Sequence, residues 1–183
     1  DCTINDFRAV DRFTHGHPHV LSTRTREELV MEAALWSDPR ATPGFRESTR
    51  GAGVEFGPDV TAGFLDRSGL RLLVRSHEMM DDGYQRMHND RLITVFSASY
   101  YCSKNDNFGA TISFSRDPTH PGTLIHTFQT YKTPLTDSAD VLARHKATLA
   151  VAYPEYVAVV VTVLVGSWDD AVILYLRVFL VMI

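Results

Sequence analysis

The sequence predicts an α/β fold of the α+β kind, in which helices pack on a sheet-rich layer. Three observations predict it. Helix start and stop signals occur before residue 70, short runs rich in β-branched residues and separated by turn signals follow, and 44% of the 183 residues are hydrophobic. A chain of this length and composition is sufficient for one domain with a hydrophobic core.

Start and stop signals predict four helices. Thr3 is placed to cap the first, and Thr25 with Glu28 has the spacing of a capping box for the second. Gly57-Pro58 opens the third helix, and Gly69 is placed to stop it. Residues 39–53 are rich in Gly, Pro, Ser and Thr and are predicted to form a loop. The predicted helices cover residues 3–13, 25–37, 58–69 and 137–152.

Four turn-bounded runs are predicted to be strands, namely Leu70–Arg75, Leu92–Ser97, Ala110–Ser115 and Leu124–Tyr131. The last 30 residues differ in character, because 157–165 and 171–183 are almost wholly apolar. Each run is shorter than the roughly 20 residues of a membrane-spanning helix. Their β-branched content favours a buried hairpin. A membrane-associated segment and a terminus produced by a frame shift are the alternatives.

Charge and cysteine content restrict the class of partner and compartment. The formal net charge is −4 and basic residues are scattered among acidic ones, so nucleic acid is not expected as a partner. The two cysteines, Cys2 and Cys102, are too few for a disulfide framework or a cysteine-based zinc site. Residues 1–12 are polar and lack the apolar region of a signal peptide. A cytoplasmic, intracellular protein is the expectation.

Four short sequence motifs carry the functional information. Each is weak when taken alone, and together they are specific. In order they are Leu35-Trp-Ser-Asp-Pro39, Arg50-Gly-Ala-Gly-Val-Glu-Phe-Gly57, Val74-Arg-Ser-His-Glu78 and Val95-Phe-Ser-Ala-Ser-Tyr-Tyr-Cys102, the last followed by Asp106-Asn-Phe-Gly-Ala110. In this order and spacing they resemble the catalytic domain of the phosphoprotein phosphatase family. Members of that family are metallophosphoesterases. The likeness is nearest to the retinal-degeneration-C type, the phosphatases with EF hands. It extends from about residue 3 to about residue 149.

The resemblance implies a serine/threonine protein phosphatase, a hydrolase that dephosphorylates phosphoproteins with the help of metal ions. It further implies that this chain is the C-terminal part of a metallophosphoesterase β-sandwich flanked by helices. Residues 1–134 would belong to the catalytic domain, 135–153 to a helix leading out of it, and 154–183 to the hydrophobic tail. Membrane contact of the tail at 157–183 is a secondary expectation.

The resemblance also assigns roles to single residues. Arg50 would clamp the substrate phosphate, since a guanidinium presents a planar fork to two phosphoryl oxygens. Tyr101 would hydrogen-bond a phosphoryl oxygen or shape access, and Asp38 would help to position the loop that carries Arg50. His77 would bind a metal ion through a ring nitrogen. Without the motif, Arg50 would be interpreted as an exposed loop arginine and His77 as an ordinary exposed or hydrogen-bonded histidine.

The loop around Tyr101 departs from the family pattern, because Tyr100 stands where the family usually has Asn. An aromatic cluster of Tyr100 with Tyr101 is therefore the competing interpretation. Cys102 is expected to be a partly exposed free thiol. Arg75 and Glu78 flank His77, and a supporting role for them is the weaker hypothesis.

Most of the family's metal ligands are not found in this sequence. The motifs Gly-Asp-x-His-Gly, Gly-Asp-x-x-Asp-Arg-Gly and Gly-Asn-His-Glu do not occur in it. The complete enzyme would use two divalent metal ions (manganese, iron or zinc), but one imidazole cannot fix such a site. No metal is expected to bind tightly to this chain alone, which is therefore predicted to be an inactive fragment.

Other metal sites are not expected. His15, His17 and His19 alternate, but Gly16 and Pro18 between them favour a solvated loop. Asp169-Asp170 lacks the continuation of an EF-hand calcium loop. Three alternative functions stay open at this point: a dinucleoside-polyphosphate hydrolase of the same fold, a non-catalytic regulatory or binding protein on the same half-fold, and an incomplete gene product without a separate function.

Overall fold

The computed structural model describes residues 2–11, 25–120, 123–132 and 163–165. The predicted helix 137–152, the three alternating histidines and most of the hydrophobic tail lie outside these residues. Three α-helices are described, and they are α1 (Ile4–Ala9), α2 (Arg26–Trp36) and α3 (Pro58–Ser68). None of the helices in the described ranges is long and apolar enough to cross a membrane.

The predicted starts of these helices and the predicted stop of α3 are confirmed, whereas α1 ends at Ala9 and not at residue 13, because the backbone is already extended at Val10. At the start of α2 the backbone N–H of Glu28 donates to Oγ1 of Thr25 (3.3 Å), and Glu28 Oε2 accepts from the backbone N–H of Thr25 (2.7 Å). This reciprocal pair satisfies two backbone donors that the first helical turn leaves free. At the end of α3, Gly69 has a left-handed backbone (φ 65°), which glycine adopts without a steric cost.

The first sheet corrects the prediction that residues 39–53 form a loop. It contains β1 (Asp38–Pro39), β2 (Phe45–Glu47) and β3 (Val54–Phe56) in the order β1-β3-β2. β1 runs parallel to β3, and β2 pairs antiparallel with it. Strands of two or three residues bury too little side-chain surface to show a periodic pattern, so their pairing was not visible in the sequence.

The second sheet has four strands in the order β5-β6-β4-β9. The pair β4/β6 is parallel, whereas β5/β6 and β4/β9 are antiparallel. β5 was not predicted, because its sequence Tyr-Gln-Arg-Met is half polar and half-exposed. β9 is the one part of the hydrophobic tail that is described, and it lies along β4. The strands are β4 (Leu72–Arg75), β5 (Tyr84–Met87), β6 (Leu92–Val95) and β9 (Val163–Val165).

An antiparallel ribbon of β7 (Gly109–Arg116) and β8 (Leu124–Tyr131) packs beside the second sheet. One hydrophobic cluster joins them: Leu72, Val74 and Ile93 of the sheet are buried and meet half-buried side chains of the ribbon, including Phe128. The ring of Phe128 also stacks on Tyr84 at 3.8 Å between centroids. The predicted mixed α/β fold is confirmed, with the ribbon packed on the second sheet and α1 and α3 packed beside β4.

Candidate active site

The candidate site lies where the start of β1 and the C-terminal end of β4 meet two loops. Asp38 is the first residue of β1, Arg75 is the last residue of β4, and His77 follows it two residues later. Arg50 lies in the Gly-rich connection between β2 and β3, and Tyr101 lies in the loop after β6. Strand ends next to flexible glycine loops are where side chains from distant parts of a chain converge.

Asp38 is the hub of this cluster, and only 7% of its surface is exposed. Its Oδ2 accepts a hydrogen bond from Nε of Arg50 (2.5 Å), and its Oδ1 accepts one from Nη2 of Arg75 (2.6 Å). Burial raises the pKa of Asp38, but the hydrogen bonds and positive charges of the two arginines outweigh it and hold that pKa below its ordinary value. The carboxylate is therefore ionised and shared between two guanidinium groups.

The two arginines differ in what they leave available to a ligand. Arg75 is buried and fully engaged, since its Nη1 donates to Glu78 (2.6 Å) and its Nη2 also donates to the Ser37 carbonyl (3.0 Å). Arg50 is 38% exposed, and among the described residues its side chain donates from Nε alone. The terminal nitrogens of Arg50 are the fork that a phosphoryl group can reach.

His77 has the properties of a residue held for a ligand. Its backbone is left-handed (φ 92°), a conformation that costs energy in a residue with a side chain. Its Nδ1 is buried without a hydrogen-bond partner, and the nearest carboxylate oxygen, Oδ1 of Asp38, is 3.8 Å away. The ring meets Trp36 edge to face at 5.3 Å. An unpaired buried nitrogen in a strained residue is uncommon in a purely structural role.

The electrostatics of His77 favour the form that binds metals. Burial lowers its pKa first, and the charges of Arg50 and Arg75 lower it further against the opposing effect of Asp38. The imidazole is therefore neutral, with a lone pair free for coordination. His77 thus fits a metal ligand by itself. In the described part of the chain, however, no group of three or more His, Cys, Asp or Glu side chains is arranged to hold an ion.

Tyr101 opens a single 3-10 turn, Tyr101–Ser103, and is 39% exposed. Burial raises its pKa, as do the charge and hydrogen bond of Cys102, whereas the Arg50 guanidinium acts in the opposite direction. The Tyr101 ring meets Phe96 edge to face (5.0 Å), while Tyr100 lies near the Lys132 ammonium (5.5 Å). Cys102 is a free, exposed thiol, as predicted.

Two supporting residues were not found from the sequence. Gly53 has a left-handed backbone (φ 66°), and a Cβ placed there would lie 2.6 Å from the carbonyl carbon of Trp36. Its backbone N–H donates to Oε1 of the buried Glu32 (3.1 Å), so the end of α2 holds the loop that carries Arg50. The paired glycines around Ala52 were a signal for close backbone approach, but nothing in the sequence indicated Glu32 as the partner.

Comparison with known proteins adds sequence relatives to this geometry. No family model matches the chain. Serine/threonine-protein phosphatase 5 of Arabidopsis thaliana is 46% identical over 118 residues, which are 64% of this chain and 20% of that protein. Serine/threonine-protein phosphatase T of Schizosaccharomyces pombe is 42% identical over 115 residues, 63% of this chain and 23% of that one. This chain belongs to the phosphoprotein phosphatase family.

Further relatives within the family broaden the likeness. Serine/threonine-protein phosphatase with EF-hands 1 of Mus musculus is 46% identical over 94 residues, 51% of this chain and 14% of that protein. A solved Saccharomyces cerevisiae protein serine/threonine phosphatase, described as similar to human phosphatase PP5, superposes with a TM-score of 0.55 and 33% identity over 73% of this chain and 40% of that one. The similarity therefore includes both the phosphatase 5/T type and the EF-hand type. The chain spans about a fifth of the length of the curated relatives it matches.

Proposed function

We propose that this chain supplies the phosphate-clamping part of a metal-dependent serine/threonine protein phosphatase, which hydrolyses phosphoserine and phosphothreonine esters in proteins. The observation that carries the proposal is the shared Asp38 carboxylate, which contacts Arg50 at 2.5 Å and lies 3.8 Å from the unpaired ring nitrogen of His77. A cationic fork and a neutral imidazole thus flank one ionised carboxylate at one end of the sheets.

The three side chains have separate tasks in this proposal. The exposed nitrogens of Arg50 bind two phosphoryl oxygens and stabilise the charge that develops on them. The hydroxyl of Tyr101, a residue that is 39% exposed, donates to a phosphoryl oxygen. Asp38 keeps the Arg50 guanidinium in one orientation, so less conformational freedom is lost when the phosphate binds.

His77 would hold one of two divalent ions (manganese, iron or zinc), and those ions would supply the activation of water at neutral pH. A single imidazole does not define such a site, so we propose that its other ligands come from outside this chain. The chain alone is then inactive on phosphoproteins. Its intracellular location stays a prediction.

The test has two stages with the same variants. First, phenyl phosphate is titrated into the 183-residue chain, and Arg50→Lys is compared with Arg46→Lys, an exposed arginine of β2 whose partner is Glu55. Arg50→Lys should weaken binding about tenfold, because lysine cannot present two parallel donors, whereas Arg46→Lys should change it less than twofold. Equal effects of the two substitutions would contradict the clamp.

Second, the chain is fused behind the upstream catalytic segment of the Arabidopsis relative, and manganese-dependent hydrolysis of a phosphoserine peptide is measured. Turnover by the fusion that is lost in His77→Ala supports the proposal. Metal-dependent turnover by the unfused chain would refute the requirement for outside ligands. Preference for a dinucleoside polyphosphate over the phosphopeptide would favour the nucleotide hydrolase instead.

A further inference from the structure

The loop between β6 and β7 holds Tyr101 between two residues with left-handed backbones. Tyr100 has φ 51° and ψ 46°, and Cys102 has φ 56° and ψ 19°. Residues with side chains pay a steric cost for this conformation and keep it where the surrounding structure holds them. The loop therefore needs a contact that fixes the backbone on both sides of Tyr101.

Asn107 makes that contact, and it is among the most buried side chains of the described structure, with 1% exposed. Its Oδ1 accepts a hydrogen bond from the backbone N–H of Tyr101 (2.9 Å). Its Nδ2 donates to the carbonyls of Ala98 (2.7 Å) and Phe108 (2.8 Å). Its own backbone carbonyl accepts from the N–H of Tyr100 (3.2 Å).

The carboxamide is chemically specific for this position. The loop presents one backbone donor and two backbone acceptors to a buried side chain, and a carboxamide offers the matching acceptor and two donors. A carboxylate would turn a negative charge toward the two carbonyls, and an aliphatic side chain would leave all three backbone groups unpaired.

Other contacts brace the loop at its ends. The hydroxyl of Tyr131 donates to the carbonyl of Ser97 (2.6 Å), and the ammonium of Lys132 binds Asp106 (2.6 Å) and lies 4.7 Å from the ring centroid of Phe108. Neither reaches Tyr101. Asn105 does contact Tyr101, because its Nδ2 donates to the Tyr101 carbonyl (3.0 Å), but it is only half-buried and makes a single such bond.

We propose that Asn107 is a positioning residue that fixes the backbone of Tyr101 and so sets where the Tyr101 hydroxyl meets the phosphoryl group. The inference rests on the proposed function, since it concerns the same phosphate. Asn107 acts through Tyr101 and does not touch the substrate. Its substitution should therefore weaken phosphate binding when Tyr101 has its hydroxyl and have little effect when the hydroxyl is absent.

The test is a double-mutant cycle on the 183-residue chain, with the dissociation constant of phenyl phosphate measured by NMR titration. Asn107→Ala should raise that constant about tenfold, as expected for loss of one well-placed hydrogen bond to the ligand. In the Tyr101→Phe background the same substitution should raise it less than twofold. Asn105→Ala, the matched control on the same loop, should change it less than twofold in either background.

A pH profile separates positioning from general loop damage. In Asn107→Asp the ionised carboxyl opposes the carbonyls of Ala98 and Phe108, whereas the protonated carboxyl has one O–H donor and one acceptor and replaces most of the carboxamide. Phosphate affinity relative to the native chain should therefore recover as pH falls through the pKa of the introduced carboxyl. The phosphate affinity of Asn107→Ala relative to that of the native chain should stay constant over the same pH range.

Two results would overturn the proposal. One is that Asn107→Ala lowers the affinity equally in the native chain and in the Tyr101→Phe variant, and the other is that Asn107→Ala does not lower it at all. If phenyl phosphate does not bind the native chain, the proposed function loses its support and hydrogen exchange decides the positioning role separately. Faster exchange of the Tyr101 amide in Asn107→Ala, by about tenfold relative to Asn105→Ala, supports that role. Unchanged exchange overturns it.

Discussion

Oδ2 of Asp38 accepts a hydrogen bond from Nε of Arg50 over 2.5 Å, although twelve residues separate the two in the sequence. The same carboxylate binds the buried Arg75 through its other oxygen. One carboxylate thus pairs with both arginines, of which Arg75 also binds Glu78, and the Asp38 side chain is only 10% exposed. The stability of this end of the fold and the orientation of Arg50 consequently depend on one residue.

Asp38→Asn should destabilise the chain by about 3 kcal/mol, because removal of one partner from a buried ion pair leaves the other charge uncompensated. Asparagine has nearly the same size as aspartate and keeps one acceptor oxygen. The loss of stability is therefore caused by the lost charge and not by a change in volume. The free energy of unfolding in urea is the measurement. Glu55→Gln, which removes the partner of the 62% exposed Arg46, should cost only about 0.5 kcal/mol. Equal losses of stability in the two variants would contradict the central role of the buried Asp38.

Gly53→Ala should cost roughly 3 kcal/mol, and Gly51→Ala is its matched control. Both glycines have left-handed backbones (φ 66° and 76°), but a Cβ at Gly51 meets nothing within 4 Å, whereas one at Gly53 collides with the Trp36 backbone. Gly51→Ala therefore isolates the conformational cost, about 1 kcal/mol, and the difference reports the clash. Chemical denaturation of both variants measures it. A Gly53→Ala chain no less stable than Gly51→Ala would refute the close approach.

The sequence was sufficient for elements whose signals are local. The capping box at Thr25 and the Gly69 stop predicted two helix ends, since each depends on side chains or backbone freedom within one helical turn. The strands β7 and β8 were also predicted within one residue of their observed ends, because eight residues show a clear pattern. β2, β3 and β5 are short or polar, and their existence depends on a partner strand.

The candidate site could likewise be predicted from the sequence only in part. Family-like motifs pointed to Asp38, Arg50, His77 and Tyr101, and the structure brings the first three into one cluster. Tyr101 lies on the loop after β6. Asn107 lies in a family-like motif but was given no role, and Glu32 was not found, because each satisfies backbone groups of a loop and a buried polar residue does not reveal its partners in the sequence. Their roles follow from tertiary contacts.

Thr61→Val should destabilise the chain by about 1–3 kcal/mol, because it removes a hydrogen bond to the buried His88. Nε2 of His88 lies 2.8 Å from the carbonyl of Arg40 and must donate to it, so Nδ1 accepts from the Thr61 hydroxyl at 2.7 Å. Valine has the same shape but leaves Nδ1 buried without a donor. Thr61→Ser keeps the hydroxyl and should cost only about 1 kcal/mol for the lost methyl group. A serine variant less stable than the valine variant in thermal unfolding would contradict this.

The contact between β5 and β8 should make the stability of the chain depend on pH. Nε2 of His126 lies 3.1 Å from Nη2 of Arg86, so the neutral ring accepts a hydrogen bond and the protonated ring would face a like charge. Burial lowers the pKa of His126 and Arg86 lowers it further, while Asp90 acts in the opposite direction. The unfolded chain therefore binds a proton more readily than the folded one, and stability falls with acidity.

The stabilisation should be fully present above the ordinary histidine pKa of about 6.5 and should decrease as pH falls from there through the lowered folded value. We expect the urea midpoint to fall more between pH 7.5 and 5.5 in the native chain than in His126→Gln, which cannot be protonated. Because that variant retains the other histidines, their contributions cancel in the comparison. Arg86→Gln should likewise reduce the pH dependence, since it removes the like charge. A native chain whose midpoint changes no more than that of His126→Gln would contradict the prediction.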